Sequence, residues 1–175
     1  MQNKKRPIIL LMVFLILGCV SDNSGKVMRI NPREVRDTDA NYGVEDLHIF
    51  TKSMIQSMLA SKVFYKSKPF LSLIDIEIGQ GVDEHLDTKL INNSIRTNLI
   101  KTTKVYFIDA EYAQSLDEKK VKKANYVLSG DIHAIKKSSK KDIDNFYMLS
   151  LKLTDTKNSM IVWTEDKEIR KVIVK

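Results

Sequence analysis

Cysteine is almost missing from this 175-residue chain. Cys19 is the only one, which excludes an intramolecular disulfide framework and any structural zinc site built on two cysteines. Histidine is nearly as scarce: His48, His85 and His133 are scattered with no pair at i and i+4, leaving little from which to build a catalytic metal centre. Three prolines and six glycines exclude collagen-like and linker-rich architectures. No Walker loop, no strand-elbow serine with its histidine and acid, and no evident nucleophile is present. What the chain does have is 43% hydrophobic residues in periodic runs, and 29 basic against 22 acidic side chains, net +7. That composition excludes a mainly disordered polymer, and the length suits one folded domain.

The strongest local signal is at the N-terminus. Lys4, Lys5 and Arg6 precede ten consecutive apolar residues at 8–17, ending at Gly18 and Cys19. Ten helical residues at about 1.5 Å each cover only half of a ~30 Å hydrocarbon core, so the run fits the h-region of a secretory signal rather than a permanent span. Leu15, Ile16, Leu17, Gly18 and Cys19 resemble a bacterial lipobox, in which the cysteine thiol takes a diacylglyceryl group before cleavage in front of it. The competing reading is a buried free cysteine in an apolar helix. Loss of residues 1–18 would leave 26 basic and 22 acidic side chains, net +4, so much of the basicity belongs to the signal. Acyl chains on Cys19, each buried methylene contributing ~0.8 kcal/mol, would hold the chain on a membrane without a spanning segment. Residues 19–41 read as a lipidated flexible tether, polar and mixed in charge, with a short strand at 27–30 as the alternative.

Behind the tether, residues 42–175 read as one α+β domain. Leu47, Phe50, Met54, Ile55, Met58 and Leu59 recur at helical spacing over 44–61. Residues 70–78 (FLSLIDIEI) alternate as a strand, with Phe70, Ser72, Ile74, Ile76 and Ile78 on one side. The Gly79-Gln80-Gly81 that follows lacks the third glycine of a dinucleotide fingerprint, since Glu84 falls there, and reads as a turn. Ile91, Ile95 and Leu99 define a second helix over 86–101, capped by Asp87 or Thr88. A short strand at 104–109 and a charged surface helix or helical turn at 111–123 come next. Three β runs at 125–135, 146–155 and 160–170 close the chain as an antiparallel meander, with Ile161 and Trp163 on one side of the last. This order predicts an α+β fold: a mixed, largely antiparallel sheet packed against two or three helices.

Several groups invite a functional reading, and each has a plainer one. Asp75, Glu77, Asp83 and Glu84 gather near one strand end, yet match no EF-hand spacing. Lys119, Lys120, Lys122 and Lys123 could touch an anionic partner or simply form a solvated face. Tyr65, Lys66, Lys68 and Phe70 interleave bases with aromatics, but an exported, lipid-anchored chain does not ordinarily meet nucleic acid. The residues therefore point to no catalytic group, no cofactor, no metal and no small-molecule substrate; a recognition surface remains.

Residues 84–88 (EHLDT), 94–99 (SIRTNL), 124–132 (ANYVLSGDI), 147–155 (YMLSLKLTD) and 161–171 (IVWTEDKEIRK), together with the lipobox, resemble the LpoB-type lipoprotein activators of penicillin-binding proteins. The resemblance runs from about Val44 onward. It implies a non-catalytic outer-membrane lipoprotein, anchored through Cys19 and facing the periplasm, that docks on a bifunctional penicillin-binding protein and raises peptidoglycan synthesis. The chain departs from the family pattern at 79–83 (GQGVD), and its tether is short and holds a single proline, Pro32. That short tether and the lysine-rich exterior also suit a different class: a surface-exposed lipoprotein that binds host or extracellular ligands.

Overall fold

The computed structural model describes residues 39–65, 67–83, 86–115 and 121–174; the signal segment, Cys19 and the tether as far as residue 38 lie outside the described residues. Helix α1 (Val44–Ala60) begins where the Gly43 N–H donates to the Asp46 carboxylate, with Glu45 also in the first turn. Both acids complement the helix dipole there. Phe50, Met54, Ile55, Met58 and Leu59 are buried on one face of α1, as their spacing predicts. Helix α2 (Thr88–Lys101) is capped by Asp87, whose carboxylate accepts from the Lys89 N–H at 2.9 Å. Its Ile91, Ile95 and Leu99 are buried against α1 and the sheet. In the charged stretch after residue 109, the described residues form helix α3 (Ala110–Gln114), with Asp109 as cap.

Among the described residues, six strands form one sheet: β1 (Phe70–Leu73), β2 (Glu77–Ile78), β3 (Tyr106–Phe107), β4 (Tyr126–Ser138), β5 (Asp142–Asp155) and β6 (Ile161–Val174). The order is β3-β1-β4-β5-β6, with β2 also on β4. β1 and β2 run parallel to β4, β3 runs parallel to β1, and β4-β5-β6 are antiparallel. The fold is thus α+β, with a mixed, largely antiparallel sheet.

The strand expected over 70–78 is interrupted. Leu73 lies opposite Leu128 and Glu77 opposite Asp131, so four steps on one side meet three on the other and the intervening segment bulges. The extra residue reverses the alternation: Leu71 and Ile76 are buried, while Ile74 and Ile78 are 54% and 43% exposed. The single apolar side expected for Ile74, Ile76 and Ile78 is corrected accordingly. Buried Asn92 on α2 fixes the bulge, accepting from the Ile76 N–H at 3.3 Å and donating to Asp75 at 2.7 Å. Asn92→Ala strands a buried N–H, and we expect it to cost about 1–3 kcal/mol in urea unfolding and to accelerate amide exchange at Ile76. Beyond β2, pairing continues through Gly79 and Gln80, and Gly81 then turns the chain at φ 76°, where a Cβ would strike the Ala134 carbonyl. The glycines make a turn.

β4 and β5 are longer than the periodicity showed, and the loop expected between 135 and 146 contracts to a turn closed by Ser139 and Asp142. A second irregularity corrects the expectation for β6. Leu153 faces Trp163 but Thr154 faces Ile161, and this bulge turns Ile161 outward, 57% exposed, while Trp163 packs on the core.

Candidate interaction surface

Helices α1 and α2 cover one face of the sheet, where Leu128, Ile132, Tyr147, Leu149, Leu151 and Leu153 are buried. Strand alternation then places Asp131, His133, Ile135 and Lys137 of β4 on the opposite face, with Asp144, Phe146, Met148 and Ser150 of β5 and Asp166, Glu168 and Arg170 of β6. The ladder sets these in rows across the strands. One row is Asp131-Ser150-Asp166, the next His133-Met148-Glu168, the next Ile135-Phe146-Arg170. Polar, acidic and apolar side chains thus stand side by side on a broad, half-exposed surface.

Arg170 carries a bidentate ion pair on this face. Its guanidinium donates to both oxygens of Asp144, at 2.9 and 2.7 Å, beside a shallow depression of about 300 Å³ lined by Ile135, Lys137, Asp144, Phe146 and Arg170. The Arg170 hydrogen bonds hold the Asp144 carboxyl below its ordinary range, with the charges of Arg170 and Lys137 acting the same way against partial desolvation. Because the folded value is depressed, the ionised Asp144 supports the fold fully above the ordinary carboxylate range, and that support is lost as pH falls through the lowered value. In an NMR titration we expect Asp144 to titrate below the ordinary aspartate range, and Arg170→Gln to raise its midpoint. An unchanged midpoint would refute the pairing.

Among the described residues, the other sequence-derived candidates lie apart from one another. His48 lines a depression of about 450 Å³ with Glu45, Ile49, Thr51, Lys52 and Asn98. His133 sits 3.1 Å from Asp131 on the open face, its ring against Gly79. Asp75 is engaged by Asn92, and Glu77 lies in β2. His85, Glu84, Lys66, Lys119 and Lys120 fall outside the described residues, as does Cys19. Phe70 stacks on Tyr106 at 5.2 Å and the Lys68 ammonium lies 3.8 Å from the same ring, so Lys68 and Phe70 are both engaged by the neighbouring strand β3. Among the described residues, no group of three or more His, Cys, Asp and Glu could hold a metal ion.

A buried polar cluster that the sequence did not reveal lies on the helix side. The Lys171 ammonium contacts Asp46 at 2.7 Å, with the two side chains 10% and 1% exposed, and donates to the Asn41 carbonyl at 3.1 Å. Asn145 donates to the Ala40 carbonyl, and Tyr42 packs between Phe50 and Tyr147, its phenol held far above the ordinary tyrosine range first by burial and then by the Asp46 charge. Residues 40–43 are thereby pinned to the ends of β5 and β6. Only the distance in sequence between Asp46 and Lys171 concealed this pair.

Among the described residues, fold and surface together define a two-layer α+β module whose sheet presents one open face. A family profile described as "Peptidoglycan-synthase activator LpoB" matches residues 46–123 and 115–169, which is most of the chain, and the chain belongs to that family. Among solved structures, it resembles the LpoB C-terminal domain from Salmonella enterica, with 12% identity and a TM-score of 0.51 over 72% of this chain and 99% of that one. The LpoB C-terminal domain from Escherichia coli gives 14% identity and a TM-score of 0.50 over 69% and 96%. These two likenesses are of fold. No curated protein matches the chain.

Proposed function

We propose that this chain is a non-catalytic, lipid-anchored activator that docks on a bifunctional peptidoglycan synthase in the periplasm. The observation that carries this reading is the family match, which runs from the first turn of α1 through α2 and α3 and into β6, over a body whose fold agrees with two LpoB C-terminal domains. In this reading residues 1–18 are the signal peptide, Cys19 carries the lipid, and residues 19–41 link the outer membrane to the domain. Activation by docking asks for no reacting group on the activator. It asks that the competent form of the enzyme be bound more tightly than the resting form, and the gain is bounded by that difference.

The linker bounds where the partner can stand. Nineteen residues from 20 to 38 reach at most about 70 Å when fully extended, so in this reading the near end of the domain stays within that distance of the anchoring leaflet and the partner must meet it from there. The test is reconstitution with a bifunctional synthase from the same organism, following glycan polymerisation and crosslinking with and without the protein. No change in either would reject the reading. Protease treatment of intact cells separates it from ligand binding at the cell surface, because a periplasmic domain is protected and a surface domain is digested.

A further inference from the structure

β6 is a long terminal strand of the sheet. Its fourteen residues pair with β5 on one side, and among the described residues no strand lies on the other. Alternate N–H and C=O groups therefore point away from the sheet along roughly 45 Å, an arrangement that invites another strand. The edge also carries Glu165, Asp166, Lys167, Glu168, Arg170 and Lys171. Such charges suppress indiscriminate pairing, and for the same reason they select any register in which they complement one another.

The sequence of β6 supplies such a register with itself. Two copies meeting antiparallel about a two-fold axis normal to the sheet place residues of the same face opposite each other, so opposed residues differ by an even number. Centring the pairing on Glu168 sets Asp166 against Arg170, Glu165 against Lys171, Thr164 against Val172, and Trp163 against Ile173. Symmetry repeats each match, and the only like-charge meeting is Glu168 with its own copy. Centring on Lys167 instead opposes Lys167 to itself and Asp166 to Glu168; centring on Ile169 opposes Lys167 to Lys171. Lys171 is already held by Asp46, so recognition falls mainly to Asp166 and Arg170. Arg170 keeps 67% of its side chain exposed, and its two bonds to Asp144 leave further N–H donors for a second carboxylate.

We propose that this chain forms a homodimer by antiparallel β6 to β6 pairing centred on Glu168, joining two sheets edge to edge. This inference does not depend on the synthase reading. The test uses the full-length chain in the envelope of producing cells with Glu168→Cys, mild oxidation, non-reducing electrophoresis and peptide mapping. Directly opposed strand residues lie about 4.5–5.5 Å apart at Cα, within disulfide reach, so a linkage between the two copies of position 168 is expected. The unsubstituted chain sets the baseline for Cys19, and Tyr106→Cys on the far edge should not link. Adding Asp166→Lys places a lysine against Arg170 and should lower the yield at least about tenfold. A Glu168→Cys chain that is folded by circular dichroism but stays monomeric overturns the proposal. So does linkage that Asp166→Lys leaves intact, or a disulfide from position 168 to a different protein.

Discussion

Replacing Lys171 with methionine is expected to destabilise the domain by about 3–5 kcal/mol, because it leaves the Asp46 carboxylate buried without its cation. Asp46 is 1% exposed and retains only the Gly43 N–H among its described hydrogen bonds. For a domain of this size the loss corresponds to a fall in Tm of more than about 10 °C, readable by circular dichroism. The physical origin predicts a rescue. Adding Asp46→Leu removes the orphaned charge and should recover a large part of the loss, since a buried ion pair is often no more stabilising than apolar groups of similar volume. A single variant that costs less than about 1 kcal/mol would mean that water reaches the pair and the site is not sealed.

Leu149→Ala is the second large effect, expected at about 2–5 kcal/mol in urea unfolding. Leu149 is fully buried at the centre of β5, opposite Ile132 of β4, within the apolar cluster beneath α1 and α2. Deleting its branched end removes apolar burial and opens a cavity that the surrounding strands cannot collapse to fill. Leu149→Met, which keeps the volume, should stay below about 1.5 kcal/mol. Equal losses from the two variants would show that this layer is loosely packed. Leu149 and Asp46 share no described hydrogen bond, so their effects should add closely if the sites are independent.

The periodicity of residues 44–61 and 86–101 made both helices legible because one face of each is buried and the apolar spacing records it. The register of β5 was legible for the same reason, through Tyr147, Leu149, Leu151 and Leu153. What escaped was whatever does not alternate. The bulge at 74–76 depends on Asn92, sixteen residues further on, and local composition carries no trace of that contact. The bulge that turns Ile161 outward is likewise a property of the partner strand. The outer end of β4 is exposed on both faces, and the matching ends of β5 and β6 bury polar Asn145 and Lys171 rather than apolar side chains, so no hydrophobic pattern marked them, and the open surface built there was invisible until the ladder set Arg170 beside Asp144. Family membership was recognisable in the segments at 124–132 and 161–171; the surface that a partner would meet needed three strands in register.

The pinned segment at 40–43 has a mechanical consequence. A pull arriving from the N-terminal side does not act first on helix α1. It is taken up first by Asn145 at the Ala40 carbonyl and by Lys171 at the Asn41 carbonyl, both upstream of the Gly43 amide that meets the first turn of α1. Tension would therefore be transmitted into two neighbouring strands at their distal ends, loading the ladder as a unit before any helical turn is unwound. Residues 40–43, joined in this way, act as a strain-relief clamp, and the body behind them can keep its shape while what lies upstream is pulled.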